Sequence, residues 1–90
     1  MCYLQRLHAF VNIYVDSPVM TEVAQQLTKL ENVKELFEVT GEFDLVALIS
    51  ANDIEEFRDL VKNKILKIRG VKSTVTTVVL ETFKGLNCKD

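Results

Sequence analysis

The stretch V-T-G-E-F-D, residues 39–44, sets a hydroxyl, a glycine and two carboxylates close together. Backbone N–H groups exposed at a glycine turn can hold a carboxylate. Glu42 and Asp44 can accept hydrogen bonds from an ammonium. Thr74, Thr76 and Thr77 add hydroxyls that both donate and accept. Together these groups suit a small zwitterion such as an amino acid. Each also has a plain structural use. Threonine is common in strands because it is β-branched, and acids keep turns soluble.

Other reactive residue types are sparse. His8 is the single histidine, and Cys2 and Cys88 lie at opposite chain ends, so no metal-ligand spacing is present. The two thiols are expected to be free. Gly41, Gly70 and Gly85 are too far apart for a phosphate-cradling loop. No serine or cysteine sits in a recognisable nucleophile motif. One catalytic alternative stays open. His8, Asn12 and Tyr14 share a strand face, and a small dimeric α/β-barrel enzyme of oxygenase or isomerase type could use such residues inside its barrel.

These residues must be held by a frame. Residues 7–15 alternate strictly, with Ala9, Val11, Ile13 and Val15 on one side and His8, Phe10, Asn12 and Tyr14 on the other. A period of two means a strand. Ser17-Pro18 reads as the cap and first position of a helix. Val19, Met20, Val23, Ala24, Leu27 and Leu30 recur at helical spacing, and Asn32 stands where that helix should stop. A second strand is expected over 33–40. Gly41-Glu42 has the signature of a two-residue type II′ hairpin turn, with a third strand over 43–51. Asn52 and Glu55 resemble a capping box. Phe57, Leu60, Val61, Ile65 and Ile68 form the stripe of a second helix, closed by Gly70. Residues 71–83 give the last strand, and 84–90 a polar tail.

The order is βαββαβ. Two βαβ halves interleave into a four-stranded antiparallel sheet with both helices on one face, a ferredoxin-like α+β fold. Ninety residues make one small domain, 48% hydrophobic and 27% charged. The net charge of −2 argues against a bare nucleic-acid-binding module, which would carry a basic face. No stretch is long and apolar enough to span a membrane, and no signal peptide is visible, so a cytoplasmic location is expected.

The helix-free sheet face is greasy. It receives His8, Phe10 and Tyr14 with Val46 and Leu48, and Leu80 belongs to the same interface. Such a patch favours burial, so two sheets are expected to pack face to face as a symmetric dimer, a dimeric α/β barrel. An ACT-like module shares the element order but pairs its sheets side by side. The apolar second face argues against it.

The run V-T-G-E-F-D-L-V-A-L-I-S-A-N-D-I-E-E-F, residues 39–57, resembles the V-T-G-[DE]-[FY]-D stretch of the Lrp/AsnC family of transcriptional regulators. The likeness covers about residues 7–84 and is to the C-terminal effector (RAM) domain. It implies dimers that assemble further, into an octamer or similar ring. It also implies an amino-acid effector bound between dimers near the glycine turn, with no cofactor. Carried over by position, Gly41, Glu42, Phe43 and Asp44 become ligand-site candidates. So do Ile54, which leads into the second helix, and Thr76, Thr77 and Val78 of the last strand. Full-length members carry an N-terminal helix-turn-helix domain. Here the first strand starts within a few residues of Met1, so the chain, taken as one domain over 1–90, resembles a stand-alone effector domain or a fragment. It would sense an amino acid, or join full-length relatives in mixed assemblies, without binding nucleic acid itself.

Overall fold

The computed structural model describes residues 6–85. Cys2 and Cys88 lie outside them. Strand β1 (Leu7–Val15) leads through a 3-10 turn (Ser17–Val19) into helix α1 (Met20–Thr28). Strands β2 (Val33–Glu38) and β3 (Leu45–Ala51) follow. Helix α2 (Ile54–Leu60) continues into a π-helical segment (Val61–Ile65), and β4 (Val71–Val78) closes the sheet. All pairings are antiparallel, in the order β2-β3-β1-β4. This is the expected ferredoxin-like arrangement.

The core lies between the sheet and the helices. Ala9, Val11, Ile13 and Val15 of β1 join Leu45, Ala47, Ile49 and Ala51 of β3 in one buried cluster. Val23 and Leu27 come down from α1, and Phe57, Leu60 and Ile65 from the second helical stretch. Burying each large aliphatic side chain contributes roughly 1.5–3 kcal/mol. The alternation read in the sequence therefore selects the buried face of β1 directly.

Register determines what the other face shows. Phe37, Val46, Asn12 and Val75 form one row across the four strands, and Glu35, Leu48, Phe10 and Thr77 the next. Phe10 is 38% exposed, Phe37 48% and Val75 49%. The apolar face expected from the sequence is present, with His8 and Tyr14 on it. Leu80 lies beyond the end of β4 and is 94% exposed.

Several local expectations change. The β2–β3 connection is not a two-residue hairpin. β2 ends at Glu38, two residues short, and Val39 N–H donates to the Asp44 carbonyl at 3.0 Å around a four-residue loop. Phe43 stands outside β3, which begins at Leu45. Its ring meets Tyr14 at 4.6 Å between centroids, on the open side. The reason is that Asp44 bonds back to the end of β1 before the β3 ladder begins.

The second helix is capped by Asp53, not Asn52. The Asp53 carboxylate accepts from Glu56 N–H at 2.8 Å, so the acid of the box is Glu56, not Glu55. The last strand stops at Val78, five residues early, although Val79 N–H still donates to His8 C=O at 2.8 Å. The first helix begins with a tighter turn, because Val19 N–H reaches the Asp16 carbonyl three residues back. The π segment was not legible from spacing. Its wider turn has Leu66 N–H donating to Val61 C=O at 2.8 Å, with Ile65 buried and Leu66 turned outward. Among the described residues, no helix is long and apolar enough to cross a membrane.

Candidate functional site

The glycine loop is anchored at one end of β1. Asp44 N–H donates to Ile13 C=O at 3.1 Å, and the Asp44 carboxylate accepts Val15 N–H at 2.8 Å. Thus Asp44 is a half-buried fastening of the loop, and one of its oxygens is already engaged. Gly41 adopts φ +109°, a region that L side chains rarely occupy. Open space surrounds the place its Cβ would take, so the conformation and not crowding requires glycine. Thr40, Gly41 and Glu42 are exposed at the loop tip.

Ile54, Thr76 and Val78 come together elsewhere. They line a groove of about 480 Å³ between the second helix and β4. Its floor is completed by Phe57 and Leu66, and Arg58 and Lys62 stand on its border. Ile54 and Leu66 remain 46% and 43% exposed there. Thr77 is excluded from this groove. It pairs with Phe10 on the open sheet face, whereas Thr76 pairs with Val11 on the helix side. Adjacent strand residues point to opposite faces, so these two threonines do not serve one ligand within a chain.

A polar network positions Ile54. Asn52 N–H donates to one oxygen of Glu56 at 2.7 Å, and the Asn32 amide donates to the other at 3.2 Å. The same Asn32 amide reaches Ser50 C=O at 2.8 Å, tying the turn between α1 and β2 to β3. Arg6 donates to Ser50 Oγ at 2.8 Å and to Asn52 Oδ1 at 3.0 Å. The Asn52 backbone bond, followed by the Asn32 amide, holds the Glu56 carboxyl below its ordinary value.

Sequence reasoning did not identify Arg58, Lys62 and Leu66 as groove residues. Only the Asp53-x-x-Glu56 spacing could have placed the start of α2 correctly. Lys62 lies in the π-helical segment and Leu66 directly follows it.

The residues of the enzyme alternative have separate surroundings. His8 lines a groove of about 820 Å³ between the open face and residues 79–85, together with Phe10, Leu48 and Phe83. The Asn12 amide is turned to Val75 C=O at 3.3 Å, and Tyr14 packs on Phe43. Of the three, only His8 lines that groove.

The Lrp/AsnC ligand binding domain matches residues 8–86. Homocitrate synthase of Sulfolobus acidocaldarius is 30% identical over 78 residues, covering 86% of this chain and 16% of that enzyme. The chain therefore spans about one sixth of that relative's length. Among solved structures, TTHA0845 from Thermus thermophilus is 33% identical, with a TM-score of 0.83 over 88% of this chain and 99% of that one. A feast or famine regulatory protein of M. tuberculosis, complexed with L-methionine, is 29% identical. Its TM-score is 0.76 over 88% of this chain and 53% of that one. A transcriptional regulator of Neisseria meningitidis, in an L-Met complex, shares the fold at 23% identity. Its TM-score is 0.84 over 93% of this chain and 56% of that one. Matched over most of its length by that domain and by regulators of the same architecture, the chain belongs to the Lrp/AsnC ligand-binding-domain family.

Proposed function

We propose that the chain is a non-enzymatic amino-acid-sensing and oligomerisation domain, linked to transcriptional regulation through assembly with full-length Lrp/AsnC regulators. The observation that carries this reading is the separation of the candidate site into two halves. The Gly41–Asp44 loop is fastened to Val15, and the Ile54 groove lies beside Val78, which pairs with Ala9. The groove's other strand residue, Thr76, pairs with Val11, and Asp44 N–H meets Ile13 C=O, so the two halves sit at successive levels along β1. None of Gly41, Glu42, Phe43 and Asp44 lines the Ile54 groove. The loop of one chain against the groove of another would form a complete site.

Such a contact joins two different surfaces, so repetition closes a ring or grows a filament. The open sheet face supplies the other contact, a symmetric dimer that covers Phe10, Val46 and Leu48. The groove's apolar floor favours an effector with an apolar side chain. Arg58 and Lys62 suit its carboxylate, and the loop tip suits its ammonium. Asp44 is partly spent on the fold, which weakens the case for a basic effector. The L-methionine complexes of the two regulators support an amino-acid ligand of this type.

The test is light scattering of the purified chain with and without each of the common amino acids. A change of mass with an apolar amino acid, lost in Ile54→Asp, supports the reading. An unchanged mass together with no calorimetric heat for any of them refutes it.

A further inference from the structure

The charges of the chain are segregated. Residues 60–80 hold five of the eleven cations, Lys62, Lys64, Lys67, Arg69 and Lys72, and none of the thirteen carboxylate side chains. Lys64, Lys67 and Arg69 border one groove of about 590 Å³. Its other wall belongs to α1, which contributes Glu22 and Gln26, and its floor is Val19 and Ile68. None of these residues lines the Ile54 groove, so the two sites are distinct.

The walls are tied together at one end. Gly70 C=O accepts Asp16 N–H at 2.9 Å. A Cβ on Gly70 would meet Val19 Cγ2 at 2.4 Å and Val23 Cγ2 at 2.8 Å. The backbone there is pressed against α1, which leaves the groove preformed. A helix C-terminus favours basic residues through its dipole. That effect does not account for three cations along one groove. Among the described residues, no carboxylate makes an ion pair with any of them.

We infer that this groove binds a phosphorylated small molecule of nucleotide size, separately from any amino-acid effector. Lys64, Lys67 and Arg69 supply charge-assisted donors to the phosphate, and the Arg69 guanidinium can engage two of its oxygens. Val19 and Ile68 offer an apolar floor for a planar ring. Gln26 and Glu22 stand where they can meet ligand hydroxyls or amino groups. The volume fits this class, since small-molecule sites run from about 300 to 1,000 Å³.

The test is an amide NMR titration of the whole chain at low salt with adenosine 5′-monophosphate, adenosine, inorganic phosphate and a DNA duplex. The nucleotide should shift Val19, Glu22, Gln26 and Ile68, more tightly than adenosine or phosphate, and raised salt should weaken it. In Lys67→Ser/Arg69→Ser, two surface changes that leave the core intact, its affinity should fall about tenfold or more. Four results would overturn the inference. These are no shifts at millimolar nucleotide, shifts elsewhere, equal affinity in the variant, or a response to phosphate or DNA as strong as that to the nucleotide. The amino-acid reading is untouched by any of them, because its own readout is assembly mass.

Discussion

The carboxylate of Asp44 accepts the backbone N–H of Val15 at 2.8 Å, across a separation of 29 residues. Together with the Asp44 N–H bond to Ile13 C=O, it seats the glycine loop on the end of β1. It also makes the most suggestive acid of the loop a structural residue. Asp44→Ala should leave the half-buried Val15 N–H without its partner and cost about 1–3 kcal/mol in urea unfolding. Asp44→Asn keeps an acceptor and should cost clearly less. Equal stability of wild type and the alanine variant would show the bond to be idle.

Two glycines with similar backbone angles should respond differently. Gly41 (φ +109°) sits in open space, so Gly41→Ala pays mainly for conformation, about 1 kcal/mol. Gly70 (φ +104°) adds a clash with Val19, just before α1, and with Val23 on α1. Its alanine variant should lose more stability, roughly 2–4 kcal/mol. Denaturant midpoints of the two variants decide this, and a reversed order would contradict the packing.

Glu56 makes stability depend on pH in a definite direction. Its carboxyl is held below the ordinary 4.5 by the Asn52 N–H and the Asn32 amide. The charged form is therefore favoured by folding. The stabilisation is complete above about pH 4.5 and is lost as pH falls through the lower folded-state value. Glu56→Gln should remove that part of the acid sensitivity. Thermal melts between neutral and acid pH should show a smaller fall for the variant than for wild type.

The open sheet face predicts an assembly defect. Phe10 lies between Leu48 and Thr77 in the middle of it. Phe10→Glu should leave the circular dichroism spectrum unchanged, because the buried side of β1 is untouched. The proposed dimer should dissociate, halving the mass seen in sedimentation. A variant that sediments like wild type would place the dimer contact elsewhere.

Much of the frame was legible because burial imposes a period. Ala9, Val11, Ile13 and Val15 alternate in the sequence and are all buried, and the stripes Val23/Leu27 and Phe57/Leu60/Ile65 meet them. The errors fell where the chain changes direction. Asn52 and Asp53 are both good caps, one position apart, and only the bond to Glu56 N–H distinguishes them. Gly41-Glu42 matched a short hairpin by composition, but the long-range bonds of Asp44 to β1 widened the loop. Phe43, expected inside the third strand, stands before it and packs on Tyr14.

The sequence alone determined which residues are buried, the βαββαβ order and the existence of a second apolar face. These follow from local periodicity and from the cost of leaving apolar surface in water. Tertiary structure decided which candidates can act together. Strand register put Thr76 with Ile54 and Thr77 with Phe10, and the Gly41–Asp44 loop lies off the Ile54 groove. Register and distance arise from pairing residues far apart in the chain, and no local pattern encodes them.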